Sequence, residues 1–126
     1  MTVTPYTENS KILAALAPFV DALPASKWKT MHRELVENDG MILKGQHWSA
    51  LASVEPQTLF VHIAAGSQIA SPSFMRDLTN LASRLGLRYL GWATPILNMG
   101  SVNKSANAGM TLVGHDNQSF IWMMRV

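Results

Sequence analysis

The sequence lacks cysteine, clustered charge and any long apolar run. The absence of cysteine excludes disulfides, thiolate metal ligands and a cysteine nucleophile. Charged residues make up 14% of the chain and the net charge is only +2, without the Lys and Arg clusters that nucleic-acid binding requires. No apolar stretch approaches the roughly 20 residues that span a bilayer. We therefore expect a protein that binds neither nucleic acid nor membrane.

Apolar residues are plentiful, at 48% of the 126 positions. This length and composition fit one folded domain, residues 1–126. Because few charged side chains are available to cover the surface, we expect exposed apolar area, which suggests a protein partner or a homodimer. The first ten residues contain no basic segment followed by an apolar one, so we expect no secretory signal and a cytoplasmic protein.

Two segments near the start have the apolar periodicity of amphipathic helices. The first is 8–24, which Pro18 should kink or divide because proline has no amide hydrogen and clashes with the preceding turn. The second is 26–40, where Ser26 is the predicted N-cap and Gly40 the predicted stop.

The helix with the best-marked ends comes later in the chain. Ser71 is a natural N-cap, Pro72 suits the first helical position, and Gly86 suits the C-terminal cap. The polar segment 95–109 is either a loop or a short, weak helix.

The remaining segments have the composition of strands. A short edge strand is predicted near Pro5, two or three strands in 40–66 with a hairpin turn at "VEPQ", one strand in 87–94, and a final hairpin in 110–126 turning at "HDNQ". The last strand is apolar on both faces, which predicts an interior position or a dimer interface. The sequence thus predicts an α+β fold in the order β-α-α-β-β-β-α-β-α-β-β.

Three passages resemble the GNAT acetyltransferase superfamily: "TLFVHIAAG…SPSFMRDLTNLASRLGLRYLGWAT", "AGMTLVG" and "SFIWMMRV". Within the first, Leu78, Ala82, Gly86 and Leu87 fall where the family helix tends to end. The resemblance implies a mostly antiparallel twisted sheet with helices on both faces. It also implies a V-shaped cleft between the strands 58–65 and 87–94, which in the family takes the pantetheine arm of acetyl-coenzyme A.

The family holds the cofactor's pyrophosphate with a loop of the form Gln/Arg-x-x-Gly-x-Gly/Ala. Counting back from the end of the helix places this motif on 66–71, where Ile69 replaces the first glycine and only Ser71 stays small. We expect Ile69 to be the departure that most weakens this pyrophosphate-binding motif, because a β-branched residue resists positive φ. If the motif is moved two residues along the chain, Gln68 takes its first position, but serines then replace both glycines. The alternative is that this loop only starts a helix.

The resemblance implies acetyl-coenzyme A as the cofactor. The candidate cofactor-binding residues are Val61 and Ile63 on the central strand, Ser67, Gln68, Ala70 and Ser71 in the loop, and Arg76 one turn into the helix. Backbone N–H groups near Ile63 would stabilise the thioester oxyanion.

His62 is the candidate general base, since it interrupts the apolar central strand and an imidazole transfers protons near neutral pH. The alternative is a core or edge histidine satisfied by a backbone carbonyl. Counting back from Gly109 puts Ser105 in the place of the Tyr that protonates the departing thiolate in the family, although a serine is a poor acid. An alternative alignment, counted from Gly114, puts Met110 there, and a methionine cannot donate a proton. His47 and Glu55 either border the acceptor site or are simply solvated.

No metal site is predicted, because the four histidines stand at 32, 47, 62 and 115 without a close pairing. Two functions remain open. One is acetyl-coenzyme A-dependent N-acetyl transfer to an unknown amine on a small molecule or a protein. The other is a catalytically reduced member of the family that works by binding a protein. The small size and blurred motifs suggest a viral, phage-type member.

Overall fold

One sheet of seven strands organises the protein, in a computed structural model that describes residues 1–7, 24–66 and 69–126. The strands are β1 (Thr2–Pro5), β2 (Met41–Gly45), β3 (Trp48–Glu55), β4 (Thr58–Gly66), β5 (Tyr89–Pro95), β6 (Thr111–His115) and β7 (Ser119–Arg125). The described helices are α1 (Ala25–Glu37), α2 (Pro72–Arg84) and α3 (Met99–Asn107).

The sheet order is β1-β2-β3-β4-β5-β7-β6. Every neighbouring pair is antiparallel except β4 and β5, which are parallel and joined through α2. The predicted α+β class and order of elements are confirmed for the described residues, including the short helix in 95–109. The helix predicted in 8–24 lies outside the described residues.

Helices pack on both faces of the sheet, as the resemblance implied. On one face α2 buries Phe74 and Leu78 against a core that includes Trp92 of β5. On the other face α1 buries Met31 and Leu35 in a smaller cluster with β2 and β3. Among the described residues, no helix combines the length and apolar character needed to cross a membrane.

The predicted ends of α2 are confirmed. The Ser71 hydroxyl accepts a hydrogen bond from the Phe74 amide at 3.2 Å, and Pro72 is the first helical residue. Gly86 follows the last turn with φ +74°, the left-handed conformation that glycine adopts without strain.

The predicted ends of α1 are wrong. The helix begins at Ala25 after Pro24, so Ser26 lies inside it and makes no cap. It ends at Glu37, three residues before Gly40. Gly40 is required by close packing instead, because an added Cβ would lie 2.4 Å from the Leu35 carbonyl oxygen.

Both predicted hairpin turns are present. One joins β3 to β4, and the other joins β6 to β7 through Asp116, whose side chain accepts hydrogen bonds from the amides of Gln118 and Ser119. β7 lies between β5 and β6, an interior position in the sheet. The edge strand β6 exposes 49% of Leu112 and 54% of Val113.

Candidate active site

Strands β4 and β5 are paired over only part of their length. Thr58–Val61 pair with Tyr89–Trp92, and no pairing joins the remainder of the two strands. Beyond that point β4 stays bonded to β3 as far as Gly66, and β5 stays bonded to β7 as far as Pro95. Each strand is therefore held by its outer neighbour while the two part from each other, as the resemblance implied.

A β-bulge marks the point where the strands part. Val61 pairs with Ala52 and Ile63 pairs with Leu51, so His62 is an extra residue in β4. A bulge bends its strand and redirects side chains. Here it leaves Val61 in the core on the α2 face and brings Ile63 to the cluster on the α1 face.

The gap between the parted strands holds a cavity of about 430 Å³. This volume is within the range of small-molecule sites, roughly 300–1,000 Å³. Its wall is mostly apolar, and α3 closes one side with Ser101, Lys104 and Ser105. The lining includes five of the predicted site residues: Val61, His62, Ile63, Ala70 and Ser105.

The N-terminus of α2 adjoins this cavity, whose lining includes Ala70 just before the helix and Phe74 in its first turn. In the described part of the chain, the backbone N–H groups of Ser71 and Ser73 have no acceptor. Such free amides, together with the helix dipole, favour an anion. Ser67 and Gln68 lie outside the described residues, and Arg76 is exposed on the second turn of α2.

The expectation about Ile69 is wrong. The left-handed residue of this turn is Ala70, with φ 61°, and Ile69 is not among the described residues with positive φ. An alanine tolerates this conformation better than a β-branched residue does. The turn is therefore compatible with the sequence despite the missing glycines.

The His62 side chain lies among polar groups from two other elements. Its Nε2 is 2.6 Å from the hydroxyl of Ser53 on β3, and its Nδ1 is 3.6 Å from Oε2 of Glu34 on α1. The Ser53 hydroxyl donates to Oε1 of Glu55 at 3.5 Å. The imidazole is thus engaged by side chains, in place of the backbone carbonyl considered from the sequence. We name Glu34, Ser53, Glu55 and His62 the His62 cluster.

Burial determines the protonation state of His62. The side chain is only 7% exposed, and burial lowers the pKa of His62 below its usual value of 6.5. The carboxylate of Glu55 opposes that shift. His62 is therefore neutral at physiological pH, the state that a general base requires.

The cluster also brings together three groups that could bind a cation. Ligand atoms of Glu34, Glu55 and His62 lie within 4.8 Å of one another. No sequence pattern indicates this grouping, since the three residues come from three different elements. Glu34 approaches Nδ1 of His62, whereas Glu55 approaches the Ser53 hydroxyl that contacts Nε2.

Ser105 is a buried residue of the cavity wall. Its hydroxyl accepts from Trp92 Nε1 at 2.8 Å and donates to the Ser101 carbonyl at 2.9 Å. The catalytic role of Ser105 stays a prediction, and this geometry commits its proton to the backbone. His47 is exposed in the turn between β2 and β3.

Comparison with solved structures identifies the fold. A GNAT family acetyltransferase from Elizabethkingia anophelis with acetyl-CoA bound aligns with a TM-score of 0.67 at 11% identity, over 99% of this chain and 97% of that one. The Escherichia coli ribosomal-protein-S18-alanine N-acetyltransferase aligns with a TM-score of 0.66 at 11% identity, over 99% and 93%. A nourseothricin acetyltransferase aligns with a TM-score of 0.56 at 16% identity, over 68% of this chain and 64% of its own length.

The chain therefore has the fold of the GNAT acetyltransferases. No protein-family model matches the sequence, and no curated protein matches it either.

Proposed function

We propose that this protein is an acetyltransferase that uses acetyl-coenzyme A to acylate a primary amine. The observation that carries the proposal is the parting of β4 and β5 beside unpartnered amides at the head of α2. Fold likeness alone would not justify a function, because chemistry resides in the site.

The residues present fit this cofactor. An apolar slot of about 430 Å³ suits the pantetheine arm, and the amides of Ser71 and Ser73 suit the pyrophosphate. The exposed guanidinium of Arg76 lies on the same helix end and adds positive charge. Ser67 and Gln68 are further candidates by their sequence position.

Backbone groups at the point where β4 and β5 part stabilise the transition state of acyl transfer. Since β4 has no partner on its β5 side beyond Val61, backbone N–H groups near Ile63 are available to a developing oxyanion. Acetyl-coenzyme A supplies the activated acyl group as a thioester. Trp92, held by Ser105, forms the opposite wall and keeps water out of the slot.

His62 removes a proton from the incoming ammonium group. It lines the cavity, and burial keeps its imidazole neutral. The overall exchange forms a C–N bond and breaks the C–S bond. The ammonium loses two protons, of which one ends on the thiol and one leaves through His62 to solvent.

The test is a thiol-release assay with acetyl-coenzyme A and three amine probes: putrescine, phenethylamine and a tripeptide with a free N-terminus. We expect amine-dependent thiol release with at least one probe. We also expect His62→Ala to slow it by about 10²-fold or more, as loss of a general base does, without changing cofactor binding. A folded protein that binds the cofactor but releases no thiol with any probe would overturn the proposal.

A second candidate function is protein binding without catalysis. It is favoured by exposed apolar side chains: Leu97 is 95% exposed after β5, and Leu112 and Val113 lie exposed on the edge strand. Such surfaces are typical of interaction sites and of unpaired sheet edges. This function becomes the better account if the thiol-release assay fails.

A further inference from the structure

Two buried tryptophans each donate their indole N–H to a hydroxyl group that lines the cavity. Trp92 Nε1 donates to Ser105 Oγ at 2.8 Å, and Trp122 Nε1 donates to Thr94 Oγ1 at 2.9 Å. The Ser105 hydroxyl passes its own hydrogen to the Ser101 carbonyl. Within the described residues the Thr94 hydroxyl hydrogen has no acceptor, although Thr94 is only 5% exposed. The two pairs therefore differ in one uncommitted hydrogen.

This hydrogen of Thr94 is available to the contents of the cavity. Thr94 lines the cavity together with Trp92, which lies two residues earlier on β5 and therefore faces the same side of the sheet. The Trp122 N–H occupies one lone pair of the Thr94 oxygen, so the hydroxyl hydrogen is directed elsewhere. Because a buried donor without an acceptor is unfavourable, its acceptor must be water or an atom of a bound ligand.

Thr94 lies near the inner end of the slot. The ladder between β4 and β5 ends at the pair Val61 and Trp92, whereas the unpartnered amides of α2 lie beyond the C-terminal end of β4. Since parallel strands have the same rise per residue, the part of β4 level with Thr94 is 62–64. A pantetheine arm that enters past α2 would therefore place its acyl end between Thr94 and the backbone N–H groups near Ile63.

We propose that Thr94 is a catalytic residue whose hydroxyl donates a hydrogen bond to the thioester oxygen, opposite the backbone N–H groups near Ile63. This rests on the proposed function and adds a second oxyanion donor to it. When the amine nitrogen bonds to the carbonyl carbon, an electron pair moves onto the oxygen, and it returns when the C–S bond breaks. Thr94 keeps its hydrogen throughout and stabilises the transient charge. Such a donor acts more on the transition state than on cofactor binding.

The hydrogen bond is measured by infrared spectroscopy of acetyl-coenzyme A, labelled with carbon-13 at the acetyl carbonyl and bound to the full chain without an amine. A hydrogen bond to a carbonyl oxygen lowers its stretching frequency. We expect a higher frequency in Thr94→Val than in the wild type, and the wild-type frequency in Thr94→Ser, which keeps the hydroxyl. Trp122→Phe is the matched control, because it breaks the same internal hydrogen bond but keeps the Thr94 hydroxyl. Its frequency should stay below that of Thr94→Val.

Equal frequencies in the wild type and Thr94→Val would overturn the proposal. If Thr94→Val does not fold, the wild type decides: a bound carbonyl that absorbs above the free cofactor in water lacks the two donors.

Thiol release separates this proposal from the proposed function. We expect Thr94→Val to lower kcat by about 10²- to 10³-fold, as loss of an oxyanion donor does, with little change in cofactor Kd. Thr94→Ser should restore most of the rate. A weaker Kd with unchanged kcat would mean that Thr94 only holds the pantetheine arm, which would refute the catalytic role. The expected infrared shift without thiol release would refute only the acetyl transfer, and a folded protein that binds no cofactor would refute both.

Discussion

The two sides of the candidate site depend on different parts of the chain. The cofactor side is built from backbone: parted strands, the free amides of Ser71 and Ser73, and small residues along an apolar slot. The acceptor side is built from side chains, namely the His62 cluster, which joins α1, β3 and β4. On the proposed function, the cofactor side can tolerate a degraded sequence motif because backbone groups form it, whereas the acceptor side depends on individual residues.

Blocking the slot should have the largest effect and should leave the His62 cluster intact. Ala64 lines the cavity, so Ala64→Phe places a ring where the pantetheine arm would lie. We expect cofactor affinity to fall by about 10- to 100-fold, the equivalent of 1–3 kcal/mol of overpacking.

The matched control is Ala65→Phe, one residue further along the same strand, where the side chain is exposed and does not line the cavity. Calorimetric titration of both variants gives the comparison. Equal affinities for the two would show that the slot is not the binding site.

Removing the Ser105 hydroxyl should lower the stability of the protein, because this hydroxyl holds Trp92 in the cavity wall. Ser105→Ala leaves the buried Trp92 N–H without its acceptor, and we expect the free energy of unfolding to fall by about 1–3 kcal/mol. Denaturant unfolding measures this loss. If the variant is as stable as the wild type yet releases thiol at least tenfold more slowly, Ser105 has a catalytic role rather than a packing role.

Lowering the pH should destabilise the protein through the acceptor side. The pKa of His62 is lower in the folded state than the usual 6.5, so the unfolded chain binds this proton first as pH falls. The stability that neutral His62 contributes is thus complete above pH 6.5 and is lost as pH falls towards the folded-state pKa. Each unit of pKa difference corresponds to about 1.4 kcal/mol.

Unfolding experiments between pH 7.5 and pH 5 on the wild type and His62→Gln isolate this contribution, since other groups titrate alike in both. We expect a steeper loss of stability in the wild type. Parallel curves would mean that burial does not shift the His62 pKa.

Removing the charge of Arg76 should have the smallest effect. The guanidinium is exposed, so an ion pair with a phosphate is worth about 1 kcal/mol at most, or about a fivefold change in affinity. Arg84→Ala, at the opposite end of α2, is the control and should not change affinity. A loss far above fivefold in Arg76→Ala would mean that a side chain, not the backbone, dominates phosphate binding.

The sequence predicted the cofactor side better than the acceptor side. The cap at Ser71 and the glycine at Gly86 are local signals, and both were confirmed. The expectation that Ile69 would need a positive φ was wrong, because Ala70 adopts the left-handed conformation instead. A sequence motif does not determine which residue of the turn takes that conformation.

The His62 cluster could not have been predicted in this way. Its geometry depends on the bulge that shifts β4 against β3, and on the packing of α1 that brings Glu34 beside Nδ1. Both are long-range features. The sequence offered only the observation that a histidine interrupts an apolar strand, which is equally typical of a structural residue.

Calorimetric titration of acetyl-coenzyme A into the full chain tests the central claim most directly. We predict saturable binding at one site per chain with a Kd well below about 1 mM, and loss of most of that affinity in Ala64→Phe but not in Ala65→Phe. A folded protein that takes up no cofactor at millimolar concentration would contradict the assignment of the parted strands as a cofactor slot.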